Sequence, residues 1–262
     1  MVQIYKTNNA ELFYLSWQKV LNVMKILLVA ATEFEVNELK SKFKIQNSKQ
    51  AVDEQEGPLP TANYKLQTDD YQLQTANCKL LVTGVGMVAT AYALGRELAT
   101  NNYDLAINLG IAGSFDRSIA LGEVVEVITD TLAELGAEDD TVFLPIDQMG
   151  FGESRFDATY QPDELTLPSA KKVTGITVNT VHGNESSIQK LQQRLNAQTE
   201  SMEGAAFFYA CRQAGVPCMQ LRAISNYVEK RNRDAWQIGA AIKNLNAYAL
   251  ELLAALNNKG RS

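Results

Sequence analysis

The chain has 262 residues, 46% of them hydrophobic and 21% charged, with a formal net charge of -6. That length suits one sizeable α/β domain with a buried core, and the acidic balance excludes the basic stripe of a nucleic-acid binder. No stretch is long and apolar enough to span a membrane, and three cysteines without metal-ligand spacing suit a reducing, cytoplasmic setting. The single histidine, His182, excludes a His-rich zinc site, and no G-x-S-x-G elbow is present for a serine triad. No metal and no cofactor is expected, and acid–base chemistry falls mainly to carboxylates.

In chain order, residues 1–23 lack the continuous apolar core and cleavage site of a signal peptide and read as an N-terminal extension. The run after Met24 reads as the first buried strand, over 26–30. Phe34, Val36, Leu39 and Phe43 then recur at helical spacing over 33–43. Residues 44–62 carry Gly57, Pro58 and Pro60 and read as loop, and 64–78 alternates loosely as a hairpin around Asp69-Asp70. A strand over 79–83 leads through Gly84-Val85-Gly86 into a helix over 87–100. A strand over 105–109 is broken by Gly110-Ile111-Ala112-Gly113-Ser114, and another covers 122–129. Residues 130–172 carry Pro, Gly and acid clusters and are expected to include a long functional loop. A strand over 175–179, a helix over 186–195 and a helix over 203–214 follow, the last capped by Gly215 ahead of Pro217. A strand over 218–224 and an amphipathic helix over 234–257 complete the pattern. Alternating strands and helices predict an α/β fold: a single three-layer α/β/α domain over 24–258 with a central mixed, largely parallel sheet. Cys211 and Cys218 read as core thiols.

Gly84-Val85-Gly86-Met87-Val88-Ala89 fits the G-x-G-x-x-A dinucleotide pattern in its strand–turn–helix context. Asp104, however, opens the next strand, whereas a ribose-binding acid belongs at the far end of it. A tight turn letting a small ligand approach a helix N-terminus is the better reading. Glu35, one turn into a helix, reads either as a surface acid favoured by the helix dipole or as a base that activates water. Glu203 sits among Met202, Ala205 and Ala206, where a buried carboxylate needs partners; two vicinal hydroxyls would supply them. Asn226 fits a turn or cap by position alone. Ligands in such sheets bind at the carboxyl ends of strands, where Glu35, the glycine runs and Ser225-Asn226 stand.

Five segments together resemble the nucleoside phosphorylase/nucleosidase superfamily, phosphorylase/hydrolase-like in fold: Ala31-Thr32-Glu33-Phe34-Glu35, Thr83-Gly84-Val85-Gly86, Asn108 to Gly113, Ser201-Met202-Glu203-Gly204-Ala205, and Arg222-Ala223-Ile224-Ser225-Asn226. Within it, residues 224–229 with Asn232 to Trp236 are most similar to the futalosine hydrolase family. The resemblance implies hydrolysis of the N-ribosidic bond of futalosine, a purine nucleoside of menaquinone biosynthesis, releasing hypoxanthine and dehypoxanthine futalosine. It implies Glu35 as the water-activating base and Asn226 as donor to the leaving 6-oxopurine. Met202 and Glu203 would contact the ribose, Gly113 and Ser225 would line the pocket, and His182 would contact the base. Asn226 stands where adenine-specific relatives carry Asp, and Asn108 where hexameric phosphorylases carry a phosphate-binding Arg, which favours water as nucleophile. The carboxyphenyl group of futalosine would fall to Phe151, Arg155 and Phe156 or to Arg231 or Arg233. The alternatives are a 6-oxopurine nucleoside phosphorylase, a methylthioadenosine/S-adenosylhomocysteine nucleosidase, or a nucleoside-binding protein without catalysis. The family also implies a homo-oligomer.

Overall fold

The computed structural model describes residues 24–41, 44–45, 71–72, 77–160 and 169–259. In chain order the strands are β1 (Lys25–Ala30), β2 (Lys44–Ile45), β3 (Tyr71–Gln72), β4 (Asn77–Val82), β5 (Leu105–Ser114), β6 (Val124–Leu132), β7 (Gly136–Asp139), β8 (Val142–Pro145), β9 (Arg155–Asp157), β10 (Lys171–Thr177), β11 (Thr199–Ser201) and β12 (Cys218–Tyr227). The helices are α1 (Asn37–Ser41), α2 (Met87–Thr100), α3 (Glu185–Arg194), α4 (Gly204–Ala214) and α5 (Ile238–Lys259), with 3-10 turns at Glu33–Val36 and Arg233–Ala235.

The main sheet runs β11-β10-β6-β12-β5-β1-β4, with β9 on β6. It is mixed: β1 is parallel to β4 and β5, β12 to β5, and β10 to β6 and β11, while β12 and β9 run antiparallel to β6. Because β11 also pairs antiparallel with the far end of β5, through Thr199 opposite Ser114 and Glu200 opposite Gly113, β5, β12, β6, β10 and β11 close into a ring. Strand β1 is apolar almost throughout because both of its faces are covered. Ile26 and Leu28 pack with Leu245 and Leu252 of α5; Leu27 and Val29 pack with Leu94 of α2 and Phe207 and Phe208 of α4.

Several elements differ from the sequence reading. The helix expected over 33–43 begins as a 3-10 turn and continues as α1, with 42–43 outside the described residues. The expected loop start at 44–45 is strand β2, paired with β3; most of the expected hairpin over 64–78 lies outside the described residues. The glycine run at 110–114 does not break its strand: β5 continues through it, because each of Gly110 and Gly113 leaves room for a neighbouring side chain. Residues 130–172 are not one loop. They hold the end of β6, the β7–β8 hairpin, β9 and the start of β10, with 161–168 outside the described residues. The three-residue β11 was not foreseen, being too short to show a period. The final helix begins at Ile238, after the 3-10 turn. Gly215 caps α4 in the left-handed region at φ 67° as expected, and Cys78, Cys211 and Cys218 are all free and buried.

One buried amide joins α5 to the start of the chain. Asn246 Oδ1 accepts from Leu39 N at 2.8 Å, and its Nδ2 donates to Glu35 O at 2.8 Å. Asn246→Ala leaves a buried N–H and a buried C=O without partners. It is expected to lower unfolding stability by about 1–3 kcal/mol, read from urea unfolding.

Candidate active site

The carboxyl ends of β1, β4, β5, β10 and β12 open on one pocket of about 390 Å³. Glu35, Gly113, His182, Met202, Glu203, Ser225 and Asn226, all singled out from the sequence, line it. So do Glu200, Val85, Val181, Arg231 and Trp236, to which the sequence reading gave no firm role. Among the described residues no group of three or more His, Cys, Asp or Glu side chains is arranged to hold a metal ion.

Glu35 hangs from the 3-10 turn that follows β1. Thr32 N and Thr32 Oγ1 donate to its Oε2 at 3.0 and 3.1 Å, and Ile111 N donates to its Oε1 at 3.2 Å. The carboxylate is thus spanned between its own turn and strand β5. Burial pushes its pKa above the ordinary carboxylate range and Glu203 adds to the rise, while Arg222 and the two backbone N–H groups pull against it.

Glu203 precedes α4 and is buried. Its Oε1 accepts from Gly86 N at 3.0 Å. The glycine turn, with φ 88° at Gly84 and 94° at Gly86, therefore spends the Gly86 amide on Glu203; the expected approach of a ligand to that helix end is taken by a protein carboxylate. On its other side, Glu203 Oε2 lies 3.7 Å from Arg222 Nη2.

Arg222 opens the segment that ends at Asn226. It lies beneath the pocket floor, 1% exposed, and its three guanidinium nitrogens make no hydrogen bond among the described residues. Gly110 makes the space: a Cβ there would come within 1.9 Å of Arg222 Nη1 and 3.1 Å of Glu35 Oε1. A lone arginine inside the apolar run 218–224 was the available sequence signal, since a buried charge requires counter-charges.

Ser225 is the extra residue of a β-bulge, where the β12–β5 register shifts between Ile224 and Asn226. Ser225 Oγ donates to Asn226 Oδ1 at 2.8 Å, and Asn226 Nδ2 donates to Tyr227 O at 3.0 Å. The amide is thereby fixed in orientation with one N–H to spare. Gly113 stands opposite Asn226; a Cβ on it would lie 3.2 Å from Asn226 Nδ2. On the other flank, Glu200 Oε1 accepts from His182 N at 2.9 Å and Glu200 Oε2 is hydrogen-bonded to His182 Nδ1.

Other expected contacts fall elsewhere. Phe151 is exposed away from the pocket, Phe156 packs edge-on against Tyr209, and Arg155 pairs with Asp157. Arg233 also lies outside the pocket lining, whereas Arg231 is at the pocket with its guanidinium over the Trp236 ring, 5.3 Å from the centroid. Asn108 is buried in β5, donates to Val29 O at 3.3 Å and does not reach the pocket.

Behind the floor, Asp130 accepts from Thr177 Oγ1 at 2.8 Å and from Gln220 Nε2 at 2.9 Å. Burial pushes its pKa up to about 6 against those two bonds.

A ring-closed α/β sheet brings two acids and an oriented amide to one pocket at its strand ends. The chain belongs to the phosphorylase superfamily, whose family model matches residues 25–256. It is 36% identical over 175 residues to the futalosine hydrolase of Streptomyces coelicolor, an alignment covering 62% of this chain and 73% of that protein. Its fold matches the 5'-methylthioadenosine/S-adenosylhomocysteine nucleosidase of Colwellia psychrerythraea 34H, solved in complex with adenine. That match has a TM-score of 0.69 and 20% identity over 91% of this chain and 96% of that one. The futalosine hydrolase of Helicobacter pylori strain 26695 matches with a TM-score of 0.64 and 16% identity, over 91% and 97% of the two chains. At those identities the two solved structures establish the fold alone.

Asp130 holds its proton to higher pH in the folded chain than in the unfolded one. Its ionisation therefore subtracts stability as pH rises between 3.8 and about 6. Asp130→Asn removes that titration, and Gln220, whose Oε1 has no partner among the described residues, can turn to accept from the new amide. The variant is expected to show a flatter decline in unfolding free energy from pH 4 to pH 7, measured by urea unfolding at both.

Proposed function

We propose that this chain hydrolyses the N-ribosidic bond of futalosine, releasing hypoxanthine and dehypoxanthine futalosine. The observation that carries the reading is the amide of Asn226, fixed by Ser225 on the bulge of β12, lining the pocket and left with one N–H unspent. An amide donates to N7 or O6 of a 6-oxopurine, as a nucleoside ending in hypoxanthine requires. The similarity to proteins that are themselves futalosine hydrolases supports the same substrate.

In this reading Glu203 accepts from the ribose hydroxyls beside Met202 and faces the cationic sugar of an oxocarbenium-like transition state. Glu35 takes a proton from the water that attacks C1′; burial, which favours its protonated form, makes it a stronger base than an exposed carboxylate. Arg222, below both acids, balances their charge. Gly113 leaves the surface flat beneath the base and His182 borders it. Arg231 over Trp236 offers a cation and an aromatic face for the carboxyphenyl substituent. Water is the nucleophile, since Asn108 supplies no cation to the pocket.

The reading takes residues 24–258 as one three-layer α/β/α domain acting in the cytoplasm, and the chain as a homo-oligomer. Phe34 and Val85 at the pocket and Val88 and Tyr92 on α2, all exposed apolar side chains, support a partner copy near the mouth.

Futalosine, inosine and methylthioadenosine, each with and without phosphate, separate the candidate activities. Phosphate-independent release of hypoxanthine from futalosine is expected; phosphate-dependent cleavage of inosine, or release of adenine alone, overturns the reading. Glu35→Gln is expected to lower kcat on futalosine by about 10²–10⁴-fold, the usual contribution of a positioned base. Asn226→Asp is expected to lose turnover of the 6-oxopurine nucleoside selectively, and kcat/KM on the 6-oxo and 6-amino substrates measures it.

A further inference from the structure

Breaking the C1′–N9 bond leaves an electron pair on the purine, which departs well only if a proton or a strong donor meets it. The amide of Asn226 donates a hydrogen bond but does not release its proton. Glu35, in the reading above, is occupied by the attacking water. The pocket lining contains one further side chain of a type that serves as a general acid, the imidazole of His182.

Its surroundings are built for that purpose. Glu200, on β11, binds both the backbone N–H and Nδ1 of His182, which fixes the ring and leaves Nε2 without a partner among the described residues. One proton lies between Glu200 and Nδ1. Whichever of the two holds it, Nε2 carries a second proton as long as the pair is neutral overall. Burial shifts Glu200 toward its protonated form, against the pull of its hydrogen bonds to His182. The other charged groups facing the pair are Glu134, which acts in the same direction as the burial, and Arg231, whose backbone N–H donates to Gly183 O at 3.2 Å.

The register of the ring sets the distance to the other reader of the base. Glu200 stands opposite Gly113 on β5, and Gly113 stands opposite Asn226 on β12. Paired residues on neighbouring strands project to one face, so the Glu200–His182 pair and Asn226 flank a gap two strand spacings wide, roughly 10 Å. Gly113, with no side chain, forms its floor, and a planar purine with a hydrogen bond at each side fits that width.

We propose that His182 protonates the departing purine, with Glu200 as its positioning residue; this rests on the nucleoside-hydrolysis reading above. The water oxygen bonds to C1′ and passes a proton to Glu35. The C1′–N9 electron pair leaves with the purine, and the Nε2 proton passes to the purine. The pair is left as a carboxylate and an imidazole protonated at Nδ1, and solvent restores the lost proton.

The test compares two leaving groups in the full-length chain: the purine nucleoside that the unaltered protein cleaves, and its counterpart with 4-nitrophenol in place of the purine, which needs no acid. His182→Asn is expected to lose about 10²–10⁴-fold in kcat on the purine and less than about tenfold on the 4-nitrophenyl substrate. Glu200→Gln is expected to lose less on the purine and to move the alkaline limb of its pH–rate profile, a limb absent with 4-nitrophenol. Equal losses on both substrates, or an unchanged alkaline limb, overturn the proposal. If the unaltered protein releases no hypoxanthine from futalosine, the substrate reading fails by itself, and the same comparison on the nucleoside it does cleave still decides the role of His182.

Discussion

One buried guanidinium organises the floor of this pocket. Arg222 makes no hydrogen bond among the described residues, yet it lies 3.7 Å from Glu203 and its charge also acts on Glu35 and Asp130. Three buried carboxylates packed this closely would repel one another, and each would be costly to ionise in a medium of low dielectric. The cation between them permits two of the acids to face the pocket while the third stays behind it. Gly110 is the condition for that cation's position, because any side chain there would occupy the guanidinium's place.

Closure of the sheet orders the opposite side of the pocket. In an open sheet the end of β5 would be a free edge, and Gly113 would have a neighbour on one side only. The short strand β11 supplies the second neighbour and brings Glu200 into line with Gly113 and Asn226. The bulge at Ser225 then turns the end of β12 so that the amide is held by its own neighbour's hydroxyl. Glu200, Gly113 and Asn226 are thereby held on strands, where position is better defined than on loops.

The order of the main strands was legible because their apolar runs are continuous, as in the segment that became β1 with helices on both faces. Glu35, Glu203 and Asn226 were legible as motif residues, and the structure brings all three to one pocket. What escaped has physical reasons. Glycines at 110 and 113 read as a break because glycine weakens strands in general, whereas here their missing side chains admit Arg222 and Asn226. Glu200 is an acid in a three-residue strand, and its importance comes from a strand pairing with β5 some eighty residues earlier in the chain. The hydrogen bond from Gly86 to Glu203 joins residues 117 apart, and no local pattern announces it.

The amide of Asn246 bears on how the protein is made. It holds the backbone of Glu35 from a point 211 residues later, near the middle of α5. During synthesis the N-terminal strands can pair as soon as they emerge, but the backbone tie at Glu35 O forms only once the last helix has left the ribosome and docked. That tie on the Glu35 turn is thus a late event in the life of each nascent chain. A product shortened before α5 would carry every residue that lines the pocket except Ile238 and still lack the tie that holds its first acid in place.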